Sequence, residues 1–142
     1  PVTLDDPEAV QGARVLIVED GPTITHGGMP YGAGYEAVRD LPGVEIVDPR
    51  ACATPEIAAV FEAYPHIGPV LPAVGYGQAQ KAELARTIHA AGVDVVVAGT
   101  PIDLERDAGL RVPVVRARYR YADAGQPSLM SFVDEFLDRS TV

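Results

Sequence analysis

Apolar and polar positions fall into two alternating patterns along the chain. Residues 14–18, 44–47, 69–71 and 93–98 are short Val-, Ile- and Leu-rich runs bounded by polar turns, and read as strands. The last of these is almost continuously apolar, as expected of a central parallel strand. Helical spacing fills the gaps. Residues 35–40 can form a helix that Pro42-Gly43 stops, and Thr54-Pro55-Glu56 offers an N-cap, a proline at N1 and an acid in the first turn. Ile57, Val60, Phe61 and Tyr64 then share one face. A helix over 78–91 carries Leu84, Ala85 and Ile88 on one side and ends at Gly92. A strand over 114–121 sets Arg116, Arg118 and Arg120 against Ala117, Tyr119 and Tyr121, so one of its faces is wet or meets negative charge. Pro127-Ser128 opens a closing helix with Leu129, Phe132, Val133, Phe136 and Leu137 inward. The alternation predicts an α/β fold, a three-layer Rossmann-like arrangement of a mainly parallel sheet with flanking helices. Residues 1–12 form a lead-in segment or linker, in which Val2 and Leu4 alternate before Asp6-Pro7-Glu8 starts a helical turn, and 13–142 form a single domain.

Composition narrows the function. At 142 residues the chain can bury a substantial core, and no apolar run approaches the roughly 18–20 residues of a membrane span. The net charge of −9 argues against nucleic acid or an anionic membrane as a partner. The single Cys52 excludes an internal disulfide framework and fits a reducing, cytoplasmic setting. One lysine, Lys81, stands against ten arginines, and no G-x-x-x-x-G-K-[ST] segment exists, so the chain has no P-loop of its own. The chain starts with Pro1 rather than Met and reads as a piece of something longer.

Candidate chemistry gathers after the strands. The stretch Glu19-Asp20-Gly21-Pro22-Thr23-Ile24-Thr25-His26-Gly27-Gly28-Met29 follows the first apolar strand and reads as a ligand-binding loop. Glu19 and Asp20 are candidates to hold Mg²⁺, or simply open a turn. His26 and Asp20 are the candidate catalytic groups, while Thr23, Thr25 and the backbone of Gly27 and Gly28 are candidates to cradle a phosphate. Asp48-Pro49-Arg50 supplies Arg50, either an anion partner or the mate of Asp48 or Glu19. Gly75-Tyr76-Gly77 offers Tyr76 for stacking. In Gly99-Thr100-Pro101-Ile102-Asp103, Thr100 and Asp103 are substrate-binding candidates, with a helix N-cap as the alternative for Asp103. His66 and His89 read as structural. In a parallel sheet these four loops share one edge and converge.

The segments VLIVEDGPTITHGGMPYGAGYEA, EIVDPR, YPHIGPVLPAVGYG and VVVAGTPIDL resemble the C-terminal domain of bacterial and archaeal predicted GTPases related to cyclic 2,3-diphosphoglycerate synthetase. The resemblance covers essentially the whole chain. It implies a nucleotide-dependent phosphoryl-transfer enzyme whose GTP or ATP is bound mainly by an upstream P-loop domain or chain. It also implies a phosphorylated small molecule as the ligand of this part, and the acid-rich loop would then need Mg²⁺ to hold it, because bare carboxylates repel a phosphate. The alternative is a non-catalytic docking or dimerisation module, a homodimer among its possibilities, anchored by Met29, Tyr31 and Tyr35.

Overall fold

A computed structural model describes residues 1–74 and 77–119. Tyr76, Arg120 and the predicted closing helix lie outside the described residues. Among the described residues, six strands form one sheet: β1 (Val2–Leu4), β2 (Arg14–Asp20), β3 (Glu45–Ile46), β4 (Leu71–Ala73), β5 (Val95–Gly99) and β6 (Val114–Tyr119). Among the described residues, five α-helices accompany it: α1 (Gly21–Thr25), α2 (Ala33–Val38), α3 (Pro55–Ala63), α4 (Gln78–Ala90) and α5 (Leu104–Asp107). The strand order is β1-β6-β5-β2-β3, with β4 also on β2. Every pairing is parallel except β1 with β6. The result is a Rossmann-like α/β sheet flanked by helices.

The central pair explains itself. Val15, Leu16, Ile17 and Val18 of β2 are fully buried, as are Val96, Val97 and Ala98 of β5. A parallel strand covered on both faces needs such a continuous apolar run. β3 lies beside the start of β2, at Arg14 and Val15, and β4 beside its end, from Val18 to Asp20. β5 lies on the other side of β2. The chain thus leaves β2 toward one side of the sheet and later returns on the other. The carboxyl ends of β2 and β5 form the switch point where open α/β sheets keep a crevice.

The helices follow their caps. Thr54 starts α3, with Pro55 and Glu56 in its first turn, and Ile57 and Phe61 are its buried residues. Ala91 caps the end of α4, and Gly92 takes φ +62°, the left-handed conformation that glycine adopts without strain. α2 packs across β1, β2, β5 and β6, and α3 packs on α4. Among the described residues, no helix is long and apolar enough to cross a membrane.

Four differences from the sequence reading have physical causes. The predicted loop after β2 begins later, because β2 runs on through Asp20 and Gly21 to Thr25 then form α1. Pro22 sits in the first turn, where its missing N–H is harmless, and the Thr25 hydroxyl donates to the Gly21 carbonyl at 2.9 Å. β4 includes Pro72, which an outer strand tolerates. α2 begins at Ala33, two residues before the predicted start. Val2–Leu4 pairs with β6 as an edge strand, and Arg118 of β6 grips Asp5 just beyond it through two bonds of 2.8 and 3.0 Å.

Candidate functional site

Glu19 and Asp20 are adjacent but face different environments. Glu19 is fully buried. Its Oε2 accepts from the Gly32 N–H at 2.5 Å and the Tyr35 N–H at 3.1 Å, and its Oε1 accepts from the Gly34 N–H at 2.9 Å. The carboxylate therefore anchors the chain entering α2. The parallel register sets Glu19 opposite Gly99, and a Cβ at Gly99 would collide with Oε1. A Cβ at Gly34 would come within 2.9 Å of the same oxygen. Small residues on both sides make room for this side chain. Burial raises the Glu19 pKa above the usual carboxylate range, the three N–H bonds oppose that rise, and the nearby Asp20 charge adds to it. Enclosed and fully engaged, Glu19 is not placed to reach a metal ion.

Asp20 is turned toward an open cleft. Its Oδ2 accepts from the Thr23 hydroxyl at 2.8 Å. The cleft, of about 240 Å³, is lined by Asp20, Thr23, Ile24, Gly32, Ala33, Gly99, Pro101 and Tyr119. It sits at the switch point, where the ends of β2 and β5 meet the start of α2. Its described lining contains one carboxylate and one aliphatic hydroxyl and no basic side chain. Gly32, Ala33 and Tyr119 were not among the residues singled out from the sequence. The signal for the first two was the small-residue run Gly32-Ala33-Gly34, which lets the chain approach Glu19 closely.

The remaining candidates are not gathered here. His26 is exposed, and its ring meets the edge of Tyr64 at a centroid distance of 5.9 Å. Thr25 is buried, its hydroxyl spent on the Gly21 carbonyl. The Gly27 N–H donates to the Pro22 carbonyl at 3.0 Å, and Gly28 turns at φ +70° with open space around it. Arg50 is committed elsewhere. It donates to Asp48 at 3.2 Å, to the Gly68 carbonyl at 3.0 Å and to the Ile67 carbonyl, and lies 4.4 Å over the Phe61 ring. It lines a separate hollow with Ala53, Ala58, Phe61 and Glu62. Thr100 is buried beneath the β5 end, its hydroxyl accepting from the Ile102 N–H at 3.3 Å. Asp103 caps α5 by accepting from the Arg106 N–H at 3.1 Å and opens onto another hollow beside Asp5, Asp6 and Glu105. Tyr76 lies outside the described residues. The β2 and β5 ends converge, while Arg50 after β3 and Val74 after β4 open onto other hollows.

Two further contacts hold the α1 region in place. His66 Nε2 lies 2.6 Å from the Ile24 carbonyl, which can only accept, so this nitrogen carries the proton. The Gly68 N–H donates to the Pro30 carbonyl at 2.7 Å. Tyr31 stacks on Tyr35 at 4.5 Å, both half-buried, while Met29 is 47% exposed. Among the described residues, no group of three or more His, Cys, Asp and Glu side chains is arranged to hold a metal ion.

No protein-family model matches the chain, and no solved structure matches it. The chain is 48% identical over 136 residues to a protein of Thermococcus kodakarensis named arginine synthetase ArcE. That match covers 96% of this chain and 30% of the relative's length. Over nearly its whole length, the chain is thus related to one part of a protein named as a synthetase.

Proposed function

We propose that the chain is the substrate-holding part of a nucleotide-dependent synthetase, and that the cleft between the β2 and β5 ends receives the small molecule. The observation that carries this reading is the 136-residue similarity to a protein named for making arginine. GTP or ATP would be bound mainly by another domain or chain carrying a P-loop. The cleft supports an amino-acid ligand with a donor-rich end group. Asp20 is a carboxylate beside a hydroxyl, and a planar guanidinium or ureido group can give it two parallel hydrogen bonds. A bare phosphate would meet repulsion there. Mg²⁺ fits only as an ion carried chiefly by phosphate oxygens, with Asp20 as its contact on this chain.

The test is a thermal-shift and calorimetric titration of the 142-residue chain with L-arginine, 2,3-diphosphoglycerate, ATP and GTP, each with and without Mg²⁺. A ligand at a hundred times its Kd adds about 2.7 kcal/mol of stability. A Mg²⁺-independent response to L-arginine is expected. A response confined to 2,3-diphosphoglycerate with Mg²⁺ would move the assignment to the cyclic diphosphoglycerate chemistry, and silence toward all four compounds would remove the cleft as a self-sufficient substrate site.

A further inference from the structure

Glu19 does not line the cleft, yet it joins the parts that form it. Gly32 and Ala33 make one wall, and the Gly32 N–H is bonded directly to Glu19 Oε2. The Gly34 and Tyr35 N–H groups hold the next turn of chain to the same carboxylate. Gly99, on the other side of the cleft, packs flush against Oε1. Asp20 and Thr23 belong to the strand end and the helix that follow Glu19 in sequence. One buried side chain therefore sets the spacing between the Gly32-Ala33 wall, the β5 end and the Asp20 carboxylate.

We infer that Glu19 is the positioning residue of this cleft: it touches no ligand, and it fixes the backbone wall against which a ligand bonded to Asp20 must fit. The inference rests on the reading of the cleft as the substrate site. A site of this kind loses affinity when its walls shift by a fraction of an ångström, because the ligand's bonds are then made only in part. Gln at position 19 keeps the size of the side chain. It places an NH₂ group where one carboxylate oxygen now receives backbone N–H groups, and donor facing donor pushes the wall away.

The experiment compares L-arginine binding by calorimetry in the wild-type chain, Glu19→Gln and Ile88→Val. Ile88 is a fully buried α4 residue that does not line the cleft, and controls for a loss of stability arising elsewhere. Glu19→Gln is expected to weaken L-arginine about tenfold or more, a change of about 1.4 kcal/mol, while Ile88→Val leaves affinity unaltered. Should Glu19→Gln fail to fold, Gly32→Ala applies a gentler push on the same contact, since its Cβ would meet the Glu19 carboxylate at 3.2 Å. The same loss is expected there. Wild-type affinity in both cleft variants would overturn the positioning role and leave the cleft as the substrate site. Absence of L-arginine binding by the wild type would overturn the cleft reading, and the positioning role with it.

Discussion

Glu19→Gln should also destabilise the fold. Three backbone donors converge on the carboxylate, one of them, Gly34 N–H, in a buried bond and two in part-buried bonds. If the glutamine oxygen takes the side facing Gly32 and Tyr35, Gly34 N–H faces a donor. The opposite rotamer orphans the other two. An orphaned buried donor costs ~1–3 kcal/mol, and a bond to a charged acceptor is worth ~1.5–3 kcal/mol against about 1 for a neutral one. Removing the buried charge relieves its desolvation and returns part of this. The net loss is ~2–3 kcal/mol. In equilibrium urea unfolding, with a slope of ~1–3 kcal/mol per M, the midpoint should fall by roughly 0.7–3 M with the slope unaltered. A loss below about 0.5 kcal/mol, the range of neutral surface changes, would refute the anchoring role.

The same comparison carries a pH signature. Burial raises the Glu19 pKa, so the folded chain holds this proton more tightly than the unfolded chain does. A group of that kind contributes its full stability below the ordinary carboxylate range, and the contribution declines as pH rises through the raised folded value. Glutamine does not titrate. The stability difference between the wild type and Glu19→Gln should therefore narrow with rising pH across that window and level off above it. A gap that widens instead would mean that the three N–H bonds, rather than burial, dominate the carboxylate.

Three further substitutions separate structure from binding. Gly99→Ala drives a methyl group onto Glu19 Oε1 and to 2.8 Å from Gly34 N, and urea unfolding should register an overpacking loss of ~1–3 kcal/mol. Asp20→Asn should weaken L-arginine about tenfold by calorimetry while the thermal midpoint moves by no more than a few degrees, because the Thr23 bond it alters is exposed. Arg50→Ala should do the reverse, lowering the thermal midpoint by a few degrees with L-arginine affinity unchanged, since its guanidinium pins the Ile67 and Gly68 carbonyls and covers Phe61 away from the cleft.

The fold was legible where burial on two faces leaves a continuous apolar run. β2 and β5 announce themselves in this way, and the Thr54-Pro55-Glu56 start and Gly92 stop bound α3 and α4 by backbone chemistry alone. α1 was not legible. Glycine, proline and two threonines are poor helix formers, and what closes this turn is the threonine hydroxyl folded back on Gly21 and the His66 contact to Ile24 from 42 positions away. β4 was misplaced for a similar reason: proline argues against a strand until a neighbour is known to pair on one side only. The four-residue α5 was read instead as an N-cap at Asp103, which is the part of it that sequence chemistry encodes.

The pair Glu19-Asp20 shows why the site was harder to read than the fold. Along a strand, parity tells which side chain faces inward only when one face is wet. β2 is buried on both faces through Glu19, so alternation gives no sign, and two consecutive carboxylates look equivalent as metal ligands. What separates them is long-range. Gly99 lies opposite residue 19 through the β2–β5 register, and Gly32 and Gly34 return to it from 13 and 15 positions along the chain. Together these glycines make the space that a buried carboxylate occupies. Of the groups nominated for an anion, the Thr25 hydroxyl, the Gly27 N–H and the Arg50 guanidinium each meet a partner that local sequence does not name. Asp20 is the carboxylate of the pair that remains turned toward the cleft. The chemistry of the site should therefore follow one carboxylate held against a backbone wall, rather than a pair of acids sharing a metal.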